Sequence, residues 1–310
     1  MTKWIYRRNK RLKVPNISFN EGCGIFVNIV SWNHGGASFG CNELLEKACT
    51  TKPHLLLISS VECGGVLPHL SGSGRFPHEW IVYLNQTLNR AFRHIATRRR
   101  QGVVMSLWAG TGALHLGTCE LIHSSYLDLS WDKSGRKSSI FITLKCVSVV
   151  MSFVVVHFDA GEVAVRMKQL QRVLQETSHR LPRSDIVFVV GDMNFRLDLD
   201  YRESLRAARL GAVDSLLVGD QLSKLLSARF GWLTGWREAS RPTFLPTYKI
   251  KRSGCGYDLE SRRLPAYTDR ILIWSHAERP IHTLEYTRIE EVRESDHFPI
   301  IGRFFIPNSQ

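Results

Sequence analysis

The chain has 310 residues, of which 44% are hydrophobic and 22% are charged. These values are typical of a folded globular protein and exclude a disordered, collagen-like or coiled-coil chain, and the length suits one large domain or two small ones. The 41 lysines and arginines exceed the 28 acidic residues and give a net charge of +13, which favours an anionic partner: nucleic acid, a polyphosphate or an acidic lipid surface.

The chain begins with a strongly basic segment. Residues 1–13 contain six lysines and arginines and no acidic residue. This composition predicts a solvated tail over residues 1–20, and it leaves nuclear targeting or electrostatic attachment to anionic lipid open. The longest apolar run, residues 147–156, is half as long as the roughly 20 residues that a membrane-spanning helix needs, so it predicts a buried strand.

The seven cysteines are scattered along the chain, and no two of them are spaced as C-x-x-C. Their odd number and irregular spacing indicate neither a disulfide framework nor a structural zinc site. We therefore expect a reducing compartment and a cytoplasmic protein, with peripheral contact to the cytosolic face of membranes as a further expectation.

Nine short segments rich in apolar and β-branched residues predict strands. They are residues 25–32, 55–58, 103–108, 140–147, 149–157, 186–190, 270–274, 281–286 and 299–306. Helical periodicity predicts helices at residues 43–49, 79–96, 162–180 and 201–229. Because strands and helices mix without strict β-α-β alternation, we predict one α/β domain over residues 21–310, a four-layer sandwich of two packed mixed β-sheets flanked by helices.

Polar residues stand at the ends of five predicted strands. They are Asn33, Glu62, His157, the pair Asp192 and Asn194, and the pair Asp296 and His297. Each of them alone has an ordinary explanation as a turn former or a helix cap. A two-sheet fold collects such loop residues at one edge, so together they predict a site.

Three of these positions carry specific chemistry. Glu62 follows a buried strand, where a carboxylate is costly unless it is solvated, paired or bound to a cation, and Mg²⁺ needs only one or two such ligands. Asp192 and Asn194 stand two apart in an extended segment, so their side chains point the same way. His297 needs a partner to act as an imidazolium, and Asp269 is the candidate.

Basic and aromatic residues cluster in two proline-containing segments, 244–249 and 262–267, and predict a pocket for a polyanion. A groove for a nucleic-acid backbone uses the same chemistry and stays open as an alternative. A group of five arginines would extend such a groove, but we predict that they form the solvated face and the end of the helix at residues 79–96. They are Arg90, Arg93, Arg98, Arg99 and Arg100.

In chain order, seven short motifs resemble the catalytic domain of the inositol polyphosphate 5-phosphatases, members of the endonuclease/exonuclease/phosphatase superfamily. The motifs are W-N, V-E, V-H-F, G-D-M-N-F-R-L, P-T-Y-K, R-x-P-A-Y-x-D-R-I-L and S-D-H-x-P, and they span about residues 25–305. The W-N, Glu, G-D-x-N and S-D-H elements are shared with the nucleases of the superfamily. Residues 244–249 and 263–272 are what separates the phosphatases from them.

The resemblance implies the residues that handle metal and water. Glu62 would be the main Mg²⁺ ligand with Asn33 beside it, and Asp296 would lie in the metal and water shell. Asp192 would orient or deprotonate the attacking water, and Asn194 would bind phosphate.

The resemblance also implies the residues that hold the reacting phosphate. His157 would contact the scissile phosphate, and His297, oriented by Asp269, would stabilise the transferring phosphoryl group. This agrees with the chemistry, because hydrolysis of a phosphomonoester needs in-line water and stabilised equatorial oxygens more than a nucleophilic side chain.

In the family, the 4-phosphate next to the reacting group is contacted by residues that match Tyr248, Lys249 and Arg263. Ser261 replaces a usual lysine there, and the adjacent Arg262 substitutes for it. Other departures are Val61 in place of a glutamine, Asp159 in place of a small apolar residue, and residues 132–135 with Lys133 as the remnant of an N-K-G segment.

The resemblance therefore implies Mg²⁺-dependent removal of the 5-phosphate from phosphoinositides such as phosphatidylinositol 4,5-bisphosphate, or from soluble inositol polyphosphates. A metal-dependent nuclease or phosphodiesterase of the same superfamily is one alternative, although the two phosphatase-type segments make nucleic acid an unlikely partner. A non-catalytic phosphoinositide-binding module is the other.

Overall fold

The computed structural model describes residues 24–36, 41–63, 76–111, 119–130, 136–179, 181, 183–228, 230–252 and 256–308. The predicted basic tail and the predicted remnant at residues 132–135, with Lys133, lie outside the described residues. No helix among the residues described is both long and apolar enough to cross a membrane.

Strands dominate the described part of the chain. They are β1 (Gly24–Asn33), β2 (Leu55–Val61), β3 (Phe92–Arg100), β4 (Val103–Gly110), β5 (Cys119–Asp128), β6 (Ser138–Cys146), β7 (Val149–His157), β8 (Ile186–Asp192), β9 (Arg237–Glu238), β10 (Asp269–Ser275), β11 (His282–Arg288) and β12 (Ile300–Pro307). The helices are α1 (Asn42–Cys49), α2 (Phe76–Leu88), α3 (Val163–His179), α4 (Tyr201–Arg209), α5 (Val213–Leu217) and α6 (Gln221–Ser227).

The strands form two six-stranded sheets. Neighbouring strands follow the order β11-β12-β1-β2-β4-β3 in the first sheet and β5-β6-β7-β8-β10-β9 in the second. Within them β1 pairs with β2 and β7 with β8 in parallel, and the other pairs are antiparallel. Each sheet thus has a parallel pair at its centre.

Burial explains why the central strands read as continuous apolar runs. Every residue of β4 and β8 is buried, because one face of each sheet packs on the other sheet and the opposite face is covered by helices. Phe153, Phe188 and Phe304 stack between the two sheets. Trp80 of α2 packs on the outside of the first sheet, and Leu170 of α3 packs on the outside of the second. The predicted four-layer sandwich is confirmed.

All nine predicted strands are present, but two long predicted helices are wrong in part. The helix predicted at residues 79–96 ends at Leu88, and Phe92–Arg100 is strand β3 instead. Arg90 therefore lies in a turn, and the other four arginines lie on an edge strand rather than on a helical face. Packing of Phe92 and Ala96 into the sandwich outweighs the weak helical pattern.

The helix predicted at residues 201–229 is three short helices, α4, α5 and α6. Gly211, with φ +69°, ends the first segment in the left-handed conformation that glycine adopts readily. Asp220 caps the N-terminus of α6, where its carboxylate accepts from the backbone N–H of Ser223. The chain thus turns twice where apolar periodicity alone suggests one helix.

One disulfide joins Cys119 and Cys146, which stand opposite each other on β5 and β6 with their Cα atoms 4.4 Å apart. We expected no disulfide pattern, and this pair corrects that expectation, since a sequence separation of 27 residues hides an antiparallel pairing. The cytoplasmic location stays a prediction.

Candidate active site

The residues predicted from strand ends meet at one edge of the sandwich. Asn33 ends β1, Glu62 directly follows β2, His157 ends β7 and Asp192 ends β8. Because β1 and β2 are parallel, as are β7 and β8, their carboxyl ends lie side by side. The antiparallel strand β10 begins at the same edge, with Asp269 in register with Asp192.

Asp192 is held by a donor on each carboxylate oxygen. The Asn33 amide donates from Nδ2 to Oδ2 over 2.8 Å, and the backbone N–H of Asn194 donates to Oδ1 over 2.9 Å. Asn33 belongs to the first sheet and Asp192 to the second. The carboxylate is buried, and its hydrogen bond to Asn33 joins the two sheets within the site.

Asn194 stands in a left-handed conformation, with φ 55°, just beyond β8. Its amide donates to the carbonyl of Phe158 over 2.9 Å, and its Oδ1 accepts from Arg196 over 2.6 Å. The Arg196 guanidinium also lies 4.5 Å from the centre of the Tyr248 ring. Arg196 thus bridges the predicted catalytic residues and the predicted substrate residues, a position that sequence reasoning did not assign to it.

The glycine before Asp192 in the G-D-M-N-F-R-L motif has a steric reason. A Cβ atom on Gly191 would lie 2.0 Å from the carbonyl oxygen of Val156 on the neighbouring strand, and its φ is +141°. Glycine is therefore required for β8 to lie this close to β7 while it brings Asp192 to the edge.

His297 and Asp269 form a buried ion pair. His297 Nδ1 lies 2.9 Å from Asp269 Oδ2, which also accepts from the hydroxyls of Thr247 and Thr268. Burial lowers the pKa of His297, but the charge and hydrogen bond of Asp269, with the charges of Asp192 and Asp296, outweigh it and raise the pKa to about 9. His297 is accordingly an imidazolium at neutral pH.

Glu62 faces His157 across the junction of the two sheets. Its Oε1 lies 3.4 Å from His157 Nε2, which is itself 3.9 Å from Asp192 Oδ2. Burial opposes ionisation of Glu62, but its contact with His157, together with the charges of His157, His297 and Lys137, lowers the pKa of this carboxyl to about 2. Glu62 is therefore an ionised carboxylate at the end of a buried strand.

Lys137 is a site residue that sequence reasoning missed. Its Nζ lies 2.6 Å from His157 Nε2, and burial lowers its pKa against the opposing charges of Asp192 and Glu62. Our candidate lysine was Lys133, four positions earlier. One signal would have found Lys137. It directly precedes β6, which pairs antiparallel with β7, so the start of β6 lies beside the end of β7 at the site.

Asp296 is paired with Arg252. Its Oδ1 lies 3.3 Å from the Arg252 guanidinium, which also donates to the carbonyl of Gly35. The described contacts bring Asp296 to the loop after β1, and it acts on His297 through its charge. Its place in the metal and water shell stays a prediction.

The predicted substrate residues line the rim beside His297. The Tyr248 ring lies 4.6 Å from the His297 ring, and Lys249 Nζ lies 3.0 Å from a carboxylate oxygen of Asp258. Arg262 and Arg263 are exposed in the turn that follows Asp258. The Tyr248 ring thus lies against the buried imidazolium, and three cations follow it in the neighbouring loop.

The site contains atoms that suit a hard metal ion. Among the described residues, Asp192, Asp269 and His297 offer ligand atoms within 4.8 Å of one another, and all three are buried. His297 is already paired with Asp269, so this group is better suited to hold a proton than to ligate through nitrogen. The ionised Glu62, with the Asn33 amide, supplies the oxygen donors that Mg²⁺ prefers.

Residues 30–303 match the family described as endonuclease/exonuclease/phosphatase family 2. Over 178 residues the chain is 32% identical to synaptojanin of Caenorhabditis elegans, a match that covers 54% of this chain and 15% of synaptojanin. The chain spans 15 to 38% of the length of the first three curated relatives that it matches.

Two solved structures share the fold. The inositol polyphosphate 5-phosphatase domain of spsynaptojanin, in complex with inositol (1,4)-bisphosphate and calcium ion, has a TM-score of 0.74 and 21% identity, covering 93% of this chain and 87% of that chain. A mutant Cimex nitrophorin in its ferrous NO complex has a TM-score of 0.75 and 20% identity, covering 92% of this chain and 99% of that chain. One fold therefore carries unlike chemistries, and residues at the site must distinguish them.

Proposed function

Because the chain belongs to endonuclease/exonuclease/phosphatase family 2, we propose that it is a metal-dependent phosphatase that removes the 5-phosphate from phosphoinositides or soluble inositol polyphosphates. One observation carries the proposal: an ionised Glu62, a doubly held Asp192 and an imidazolium at His297 meet at a single edge. The names of synaptojanin and of the inositol polyphosphate 5-phosphatase domain support the choice of substrate.

Glu62 and Asn33 would hold the metal, which we propose to be Mg²⁺, and Asp296 would complete its water shell. The fit rests on donor chemistry, since the half-buried Glu62 carboxylate stays ionised. When bound, a divalent cation polarises a phosphoryl oxygen and offsets the charge that develops there.

Asp192 orients the attacking water and accepts its proton. Its two oxygens are fixed by Asn33 and Asn194, so the carboxylate has one orientation at the reacting phosphorus. As the water oxygen bonds to phosphorus, the bond between phosphorus and the 5-oxygen of inositol breaks, and that oxygen gains a proton from solvent. In-line displacement of this kind depends mainly on positioning and on charge stabilisation.

His297 stabilises the equatorial oxygens of the transferring group. Asp269 holds its Nδ1, so the Nε2–H is available to donate to a phosphoryl oxygen. Lys137 Nζ lies 2.6 Å from His157 Nε2 and adds positive charge beside the histidine that would contact the scissile phosphate. Tyr248, with the neighbouring cations of the rim, would bind the 4-phosphate.

The test is phosphate release from phosphatidylinositol 4,5-bisphosphate, from inositol 1,4,5-trisphosphate and from an isomer without a 5-phosphate, with Mg²⁺ and with EDTA. We expect metal-dependent release from the two 5-phosphate substrates and its loss in Asp192→Ala. Cleavage of an oligonucleotide without release from inositol phosphates would indicate a nuclease. Headgroup binding without turnover, unaffected by Glu62→Ala, would indicate a binding module.

A further inference from the structure

The outer edges of the two sheets lie side by side on one face of the sandwich. Strand β3 ends the first sheet and β5 ends the second. Arg98 Nε donates to the Ser124 hydroxyl over 3.0 Å, and the Arg100 guanidinium stacks 4.7 Å from the centre of the Tyr126 ring. We call this surface the β3–β5 face; its exposed residues include Arg93, Arg98, Arg99, Leu121, Ile122 and Tyr126, together with one exposed acid, Glu120.

The β3–β5 face is cationic. Strand β3 carries four arginines and no acidic residue. Strand β5 carries Glu120 and Asp128, and Asp128 is paired with Arg100 at 3.2 Å. A nine-residue strand is about 30 Å long, so the positive charge extends over more length than one phosphorylated headgroup occupies.

The same face exposes apolar side chains. Leu121 is 37% exposed, Ile122 40% and Tyr126 62%. Charged residues on an edge strand prevent its pairing with another chain, which accounts for the arginines of β3. It does not account for two aliphatic side chains and a tyrosine on the neighbouring edge, where they leave apolar area in water.

The face also borders the proposed active site. Asp128 at the end of β5 pairs with Arg100, and the next residue, Leu129, donates its backbone N–H to the carbonyl of Lys137 over 2.8 Å. Lys137 in turn contacts His157. On the other side, the turn between β3 and β4 accepts a backbone hydrogen bond from Cys63, next to Glu62.

We propose that the β3–β5 face docks on an anionic lipid bilayer and brings the site to lipid substrates. Docking on the bilayer does not depend on the proposed function; only the delivery of a lipid substrate to the site does. Cations beside exposed aliphatic and aromatic side chains suit the boundary between headgroups and acyl chains. A nucleic-acid backbone would use the arginines but not Leu121 and Ile122.

The test is sedimentation with vesicles of equal parts phosphatidylcholine and phosphatidylserine, without phosphoinositide. Each arginine near an anionic surface contributes about 1 kcal/mol, or roughly a fivefold change in binding, so R98A/R99A should lower partitioning about 25-fold. L121S/I122S should abolish the binding that remains at high salt. The matched control is R206A/R209A. These two arginines are exposed in the last turn of α4, outside the β3–β5 face, and the variant removes the same charge.

Turnover of soluble inositol 1,4,5-trisphosphate separates this proposal from the proposed function. We expect it to be unchanged in R98A/R99A, whereas turnover of phosphatidylinositol 4,5-bisphosphate in the same vesicles falls with vesicle binding. Three results would overturn the docking face. They are an equal loss of vesicle binding in R206A/R209A, unchanged vesicle binding in R98A/R99A, and a loss of oligonucleotide binding alone in R98A/R99A. Vesicle binding without any phosphate release would instead overturn the proposed function.

Discussion

Asp269 shows how a single carboxylate oxygen sets the charge of a neighbouring ring. Its Oδ2 accepts from two threonine hydroxyls and pairs with His297 Nδ1, all out of contact with water. Burial alone would leave the imidazole neutral, so its positive charge depends chiefly on this carboxylate, with the charges of Asp192 and Asp296 in support.

Asp269→Asn should therefore neutralise His297 at neutral pH. Without the carboxylate, burial should lower the pKa of His297 from about 9, and the alkaline limb of the pH–rate profile should move to lower pH with it. We expect phosphate release at neutral pH to fall roughly 100-fold, the usual effect of losing one charge-stabilising donor. NMR titration of the imidazole checks the shift, and Asp214→Asn, in an exposed ion pair, should leave it unchanged.

The same ion pair makes folding stability depend on pH. A histidine whose pKa is higher in the folded than in the unfolded state contributes its full stability below about 6.5 and loses it as pH rises through about 9. The free energy of unfolding should fall by about 3 kcal/mol across that window, measured by urea denaturation at a series of pH values. A flat profile, identical in Asp269→Asn, would contradict the pairing.

Lys137→Met should reduce kcat/KM by about 100-fold, because it removes the ammonium next to His157 and the ionised Glu62. Lys145→Met is the matched control, since Lys145 is exposed near the end of β6 that is far from Lys137. Equal activity of the two variants in steady-state assays would remove Lys137 from the site.

At the scale of elements, the buried strands could be predicted and the edges could not. Strands such as β4 and β8 are apolar along their length because both faces are covered. The ends of the buried strands β1, β2 and β8 located Asn33, Glu62 and Asp192. Strands β3 and β5 have polar, exposed residues that match no simple period, so part of β3 was predicted as helix and β5 was not predicted. Lys137 was missed for a related reason, since β5 was not there to fix where the connection to β6 ends.

A buried ionic network ties three elements near the site. Arg270 of β10 donates to Asp220 at the start of α6 over 2.8 Å and to Glu238 of β9, and all three side chains are largely buried. Arg270→Met should lower the free energy of unfolding by about 3 to 5 kcal/mol, since it leaves two buried carboxylates without their partner. Arg241→Ala, which breaks an exposed pair with Asp214, should change it by less than about 1 kcal/mol in the same urea titration.

At the scale of the whole molecule, α1 and α2 cover one side of the sandwich and α3 and α6 the other, and none of the described helices covers the β3–β5 edge. The disulfide between Cys119 and Cys146 lies at that open edge and holds β5 to its only partner strand in the sheet order. A covalent link is useful there because an edge strand has hydrogen bonds on one side alone.

Cys119→Ser should therefore lower stability by about 3 kcal/mol, the value expected for a closed loop of 27 residues. Thermal unfolding with and without a thiol reductant measures the effect. Reductant should destabilise the native chain and leave Cys119→Ser unchanged. If the native chain is equally stable in both conditions, the two cysteines are not joined.

The hydrogen bond between Asn33 and Asp192 joins residues that are 159 positions apart and belong to different sheets. We therefore expect the site to form only when the two sheets dock, because neither sheet alone contains both the residues after β1 and β2 and those after β7 and β8. During refolding, backbone circular dichroism should recover first, and phosphate release should begin only when the sheets dock, a slow step in a chain with so many distant contacts. The onset of phosphate release then measures the rate at which the two sheets dock.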